Sequence, residues 1–166
     1  MRSRVTSRTM TERPSSALII RQEDPAQSDV VELLRHGEAF SASLYPPESN
    51  HHLPLGALRR PEVRFFVGRD AEGKAFATGA VVLHDDWAEI KRMWVEEAAR
   101  GRGIAREILN VLMAEAGGAG VERLRLETGV SNSAALALYE KTGFKRREPF
   151  ADHRPDSLSV FMERQL

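Results

Sequence analysis

The sequence predicts an α/β fold of the α+β kind, in which a central, twisted, mixed β-sheet is flanked by helices. Three patterns carry that prediction. Runs of β-branched and aromatic residues between Val63 and Val95 are separated only by short turn signals, as in consecutive hairpins. From Ile104 onward, helical spacing alternates with short apolar strands, as in crossover units. The resulting order, β-α-(α)-β-β-β-α-β-α-β-β, contains no repeat, and hairpins followed by crossovers give a sheet with both pairing senses.

Each element has its own signal. Ala17-Leu18-Ile19-Ile20 reads as a short strand. Asp24-Pro25 opens a helix in which Val30, Leu33 and Leu34 keep i, i+3, i+4 spacing, and Tyr45-Pro46-Pro47-Glu48-Ser49 breaks it. A polar loop with one short helix reaches Arg60-Pro61. Val63 to Val67 and Ala75 to Leu83 flank the turn Asp70-Ala71-Glu72-Gly73, and His84-Asp85-Asp86 leads into the strand Trp87 to Val95. Ile104, Ile108, Val111 and Leu112 share one face of a helix that Gly117-Gly118 ends. Leu124 and Leu126 mark another strand, Ser131-Asn132 caps a short helix and Gly143 closes it. Lys145 to Phe150 and Leu158 to Met162 read as two closing strands.

Composition narrows the function. The 166 residues include 24 Lys+Arg, 24 Asp+Glu, five His and no Cys. This length fits one domain, placed over residues 17–166. Zero net charge argues against a nucleic-acid partner held by many phosphate contacts. The absence of Cys removes disulfides, thiolate metal sites and a cysteine nucleophile. No run of about eighteen apolar residues occurs, so no membrane partner is expected and the predicted location is cytoplasmic. Residues 1–16, with Arg2, Arg4, Arg8 and Arg13 among Ser and Thr, read as a disordered leader or as an upstream start before Met10.

The sharpest chemical signal is Arg100-Gly101-Arg102-Gly103-Ile104-Ala105, between a strand and a helix. Two glycines let backbone N–H groups turn toward one point. The helix that follows adds its unpaired amides and the positive end of its dipole, so an anion can be held there. Arg100 and Arg102 add charge suited to phosphate. The alternative is a plain strand-to-helix turn.

The run Val95-Glu96-Glu97-Ala98-Ala99-Arg100-Gly101-Arg102-Gly103-Ile104-Ala105 resembles the acetyl-CoA loop of the GNAT N-acetyltransferase superfamily. That pattern is Arg or Gln, two residues, Gly, one residue, then Gly or Ala, and Arg100, Gly103 and Ala105 meet it. Asn132-Ser133-Ala134-Ala135-Leu136-Ala137-Leu138-Tyr139-Glu140-Lys141-Thr142-Gly143-Phe144 resembles the second signature, with Asn seven residues before Tyr and Gly-Phe following. Glu97 departs from the Pro of many members, which bears on loop rigidity. Pro46-Pro47-Glu48-Ser49, Leu126-Glu127-Thr128-Gly129, Pro149-Phe150-Ala151-Asp152 and Ser159-Val160-Phe161-Met162 look like a subgroup of small, uncharacterised bacterial members, some named for indole-acetic-acid metabolism. His153 stands where that subgroup is expected to carry Tyr.

The resemblance implies the GNAT acyl-CoA N-acyltransferase fold and direct transfer of acetyl from acetyl-CoA to a primary amine, of a small molecule more than of a protein. It places the pyrophosphate on Gly101, Arg102, Gly103, Ile104 and Ala105 after Arg100, and the pantetheine along Met93, Trp94 and Val95, as an added strand. The Met93 N–H would stabilise the oxyanion. Asn132 and Tyr139 belong to the cofactor side, and Tyr139 is the expected general acid toward the leaving thiolate. Glu89, eleven residues before Arg100, stands where the histone-acetyltransferase branch carries its catalytic carboxylate. Strand alternation puts Glu89, Lys91 and Met93 on one face. Glu127 is the second candidate base, and water the third. Tyr45 to Leu58 and Phe150 to Ser157 would form the acceptor side. A homodimer is common in the superfamily. The other readings are a protein lysine or N-terminal acetyltransferase and a CoA-binding sensor without catalysis. No metal is expected: His51-His52 with Glu48 lacks a third ligand at a suitable spacing. Trp87 and Trp94 read as packing residues, and Lys145-Arg146-Arg147 as a solvated strand end or a contact for an acidic group.

Overall fold

The computed structural model describes residues 17–166, so the expected leader lies outside the described residues. The chain runs β1 (Ile19–Gln22), α1 (Ser28–Leu44), α2 (Leu55–Leu58), β2 (Val63–Arg69), β3 (Ala75–Leu83), β4 (Trp87–Val95), α3 (Ile104–Gly118), β5 (Arg123–Gly129), α4 (Ser133–Lys141), β6 (Lys145–Arg147) and β7 (Ser159–Gln165), with 3-10 turns at Pro47–Ser49 and Glu97–Ala99. The strands make one seven-stranded sheet in the order β1-β2-β3-β4-β5-β7-β6. Every neighbour pair is antiparallel except β4 with β5.

Alternation along the strands sends side chains to two separate cores. Val63, Phe65, Val67 and Ala80 pack with Val30, Leu33 and Leu34 of α1 and with Leu58 of α2. Phe66, Ala77, Val81, Ile90, Leu124, Leu126 and Met162 pack on the opposite face with Ile108, Leu109, Leu112 and Ala116 of α3, and with Tyr139 and Phe144. The long helices thus cover opposite faces.

The expected order of elements is the observed one, and differences lie at their ends. The first strand begins at Ile19, two residues late. The expected strand from Lys145 to Phe150 stops at Arg147, because Pro149 has no N–H to donate to β7. The chain then turns through Ala151, at φ 52°, which brings Phe150 and His153 beneath the sheet face carrying Glu89 and Glu127. The last strand is longer than expected and continues to Gln165.

One correction concerns β4. Ala80 pairs with Lys91 and Thr78 with Trp94, so β4 has one residue more than β3 across this interval, and Arg92 adopts φ 56°. This bulge breaks the alternation. Glu89 and Lys91 share the α1 face, but Met93 is turned to the α3 core. The Thr78 hydroxyl donates to the Arg92 carbonyl at 2.8 Å, securing the kink.

Arg69 at the end of β2 ties the first helix to the sheet. It binds Glu23 at 2.9 Å and Asp29 at 2.7 Å and also donates to the Gly73 carbonyl. Burial works against the charge on Glu23, but hydrogen bonds from Arg69 and Gln27 outweigh it. Asp29 is held down by Arg69 directly, so both carboxyls lie below their ordinary range. Their contribution is complete above the unfolded value of about 4 and is lost as pH falls through the folded values. Arg69→Ala is expected to cost about 1–3 kcal/mol near neutrality, with solvent screening favouring the lower end. It should also flatten the acid limb of the stability profile. Denaturation midpoints of both proteins measured between neutral and acid pH check this; an unchanged acid limb would contradict it.

Candidate active site

Parallel pairing between β4 and β5 is limited to Trp87–Arg123, Ala88–Leu124 and Glu89–Arg125. Beyond Glu89 the strands diverge, and a cleft of about 510 Å³ opens between Ile90–Val95 and Leu126–Gly129. Past that point β5 no longer fills the ladder edge of β4, so an extended ligand can lie along it as an added strand.

At one end the cleft reaches the start of α3, lined by Arg100, Gly101, Gly103, Ile104, Ala105 and Arg106. Gly101 and Gly103 have φ 80° and 74°, which strongly favours glycine, and no atom lies within 4 Å of where a Cβ would stand. No side chain caps α3, and Glu107 N–H to Gly103 C=O begins its ladder. The preceding amides point outward with the helix dipole behind them, an open cradle for an anion.

Arg100 is braced. Its guanidinium lies over Trp94 at 4.9 Å and Phe40 at 5.5 Å, and Nε donates to the Val95 carbonyl at 3.1 Å. The Trp94 indole donates to Glu96 at 3.0 Å, and His36 lies 2.6 Å from the same carboxylate oxygen. Burial raises the Glu96 pKa, but these two partners outweigh it and keep the carboxyl below its usual range.

At the other end, five titratable side chains meet. Glu89 is buried, with Lys91 at 2.6 Å and His153 at 3.2 Å. It does not line the cleft. Glu127 does, with His51 at 2.8 Å from Oε1, while its buried Oε2 has no hydrogen-bond partner among the described residues. Arg92 donates to the Leu53 carbonyl and to Glu38, fixing the loop that forms this wall. His52, also on the wall, is pushed down by burial and then by Arg92, so its neutral form is favoured. The Tyr45 hydroxyl crosses to accept from Ser131 N–H at 3.1 Å, over Gly129, where a Cβ would stand 1.8 Å from that oxygen.

Residues 29–144 match the model of the acetyltransferase (GNAT) family. The chain belongs to that family. It is 42% identical over 149 residues to the IAA acetyltransferase of Azospirillum brasilense, covering 89% of this chain and 97% of that one. A crystal structure of a candidate acyl-CoA N-acyltransferase of Klebsiella pneumoniae superposes with a TM-score of 0.77 and 32% identity, over 90% and 97% of the two chains. The fold is shared with the PaiA N-acetyltransferase of Thermoplasma acidophilum, solved in complex with coenzyme A, at a TM-score of 0.71 and 16% identity over 90% and 99%.

Members of this family use acetyl-CoA, and the open glycine cradle fits a pyrophosphate. Of the residues expected from sequence, Met93, Trp94, Val95, Arg100, Gly101, Gly103, Ile104, Ala105, Asn132 and Tyr139 all line the cleft. Arg102 is exposed outside it. Arg106, in the first turn of α3, lines it and carries no signal in the motif. The Asn132 carbonyl oxygen caps α4 by accepting from Ala135 N–H at 3.3 Å. Tyr139 is buried beside the Phe144 ring, and burial pushes its phenol pKa well up. Arg147 is held by Glu163 and Phe150, away from the cleft. Of the two segments expected on the acceptor side, Tyr45 and Ser49 to Leu53 line the cleft, whereas His153 of the segment from Phe150 lies behind Glu127. The expectation that no third ligand joins His51 is also corrected, since Glu127 and His153 approach it from other elements. No sequence spacing foreshadows that meeting.

Gly103→Glu is expected to abolish acetyl-CoA binding, because it strains a left-handed residue and places a carboxylate in the anion cradle. Calorimetric titration checks this, and affinity equal to the parent protein's would contradict the assignment.

Proposed function

We propose that this protein transfers acetyl from acetyl-CoA to a primary amine of a small molecule, within one ternary complex. The observation that carries the reading is the wedge between β4 and β5, with an anion cradle at one end and a free carboxylate oxygen at the other. Acetyl-CoA supplies the activated acyl group and a thiol leaving group. In this reading the amides at Gly101 to Arg106 hold its pyrophosphate, and the edge of Met93 to Val95 aligns its arm. The Met93 N–H, just past the bulge, faces the developing oxyanion.

An alkylammonium has a pKa of about 10 and must lose a proton before attack. Glu127 takes that proton in the proposed mechanism, because its side chain lines the cleft and its buried Oε2 has no hydrogen-bond partner among the described residues to hold the charge. Glu89 has the family position but is tied to Lys91 and His153, so its role is to orient these neighbours. Tyr139 donates the proton that leaves with the thiol. Burial raises its phenol pKa, so the group is protonated when the thiolate departs, and the buried tyrosinate left by donation is unstable and regains its proton from the cleft.

A small acceptor is supported by the wall. Tyr45, bonded to Ser131 N–H, and Asn50 to Leu53 narrow the side from which an amine enters. A lysine side chain on a folded protein would need an open groove there. The deciding experiment is an acceptor screen with acetyl-CoA across amino acids, polyamines, aminoglycosides, indole amines and lysine peptides. Turnover with peptides alone would overturn the small-molecule reading, and none with any amine would favour a CoA-binding sensor.

Two variants test the roles. Tyr139→Phe is expected to lower kcat on the order of 100-fold with acetyl-CoA affinity nearly unchanged. Because burial raises the phenol pKa, the parent's rate should rise with pH as the base ionises and show no fall from Tyr139 below about pH 10. Glu127→Gln should remove the rising limb, whereas Glu89→Gln should retain it. The opposite pattern would return the base to Glu89.

A further inference from the structure

The proposed acetyl transfer leaves the imidazoles of His51 and His153 without a task, and their tautomers can be read from their partners. His51 Nε2 lies 3.0 Å from the Glu48 carbonyl, which only accepts, so this nitrogen carries a proton. His153 Nε2 lies 3.2 and 3.3 Å from the two oxygens of Glu89, so it carries one as well. In the neutral rings both Nδ1 atoms are lone pairs, and both face Glu127. His51 Nδ1 is 2.8 Å from Oε1 and His153 Nδ1 is 3.9 Å from Oε2. The donor atoms of the three residues all lie within 4.8 Å of one another. A proton on His51 would satisfy Oε1 but leave the buried Oε2 without a hydrogen-bond partner.

We propose that His51 Nδ1, the Glu127 carboxylate and His153 Nδ1 bind a divalent transition-metal ion of the Zn²⁺ class, with a fourth position open to the cleft. Bonds of about 2.0–2.2 Å in a tetrahedron space the ligand atoms by roughly 3.3 Å, between the two separations found here. Two imidazoles and a carboxylate suit Zn²⁺ better than the all-oxygen ions. The outer contacts also match such a site: each ligand imidazole gives its other N–H to a carboxylate or a backbone carbonyl, and Lys91 holds that carboxylate, Glu89, in turn. His51 is a third exposed and opens the way in.

Occupation engages Glu127, so, resting on the reading of Glu127 as the base, Zn²⁺ suppresses acetyl transfer and a chelator restores it. The test uses the full chain, stripped of metal and titrated with Co²⁺. The expected result is the intense visible absorption of four-coordinate Co²⁺, bleached by one equivalent of Zn²⁺. His51→Ala and His153→Phe should each weaken Zn²⁺ binding by at least about tenfold, and His84→Ala, whose ring stacks on Trp87, should leave it unchanged. Absence of the band in the parent protein, or a band unaltered in His51→Ala, overturns the site. Tight Zn²⁺ binding with undiminished turnover would support the site and overturn the role of Glu127 as base. Loss of the band with intact turnover would overturn the site alone.

Discussion

The interruption of pairing between β4 and β5 after Glu89 and Arg125 is the constraint on which the site depends. A parallel pair in mid-sheet normally continues, because a buried N–H or C=O left unpaired is costly. Here the bulge at Arg92 twists β4 away, and the chain leaving β5 runs to α4 on the α3 side of the sheet. The exposed ladder edge is thereby made available to a ligand whose own amides complete the sheet. The cores on either side hold the wedge open, since α3 is fixed by Ile108, Leu109 and Leu112, and α1 by Val30, Leu33 and Leu34.

Charge follows the same geometry. The cradle at α3 offers backbone donors and a helix dipole without a fixed anionic partner, while Arg100 is taken up by aromatic faces. Carboxylates gather at the opposite end, where an amine would enter and release a proton. The zero net charge of the sequence therefore hides two ends of opposite character along the same strand edge.

Much of this was legible in the sequence because it is local. Apolar spacing gave α1 and α3, turn residues gave the β2–β4 hairpins, and the glycines at 101 and 103 marked the cradle. The cap at Asn132 was equally visible. What escaped depends on tertiary approach. The bulge leaves no mark in the run Lys91-Arg92-Met93, because the extra residue exists only relative to β3. Glu89 stood at the family position, yet its pairing with Lys91 and His153 reflects how the loop after Pro149 folds back. His51, Glu127 and His153 are separated by 76 and 26 positions in the chain, so no local pattern unites them. Arg106 lay one residue beyond the motif, indistinguishable from any surface arginine.

The brace at Arg100 has a consequence for the order of events. Its guanidinium rests on Phe40 of α1 as well as on Trp94, so one side chain joins the loop that carries the cradle to the helix that leads into the cleft wall. If an acceptor shifts α1, the two sites are thermodynamically linked. Whatever factor an acceptor adds to acetyl-CoA affinity by shifting α1, acetyl-CoA returns to the acceptor. Phe40→Ala uncouples the two, and equal coupling energies in that variant and its parent would exclude this route. Where an acceptor does shift α1, a single stacked cation would report to the cofactor loop that a second substrate has arrived.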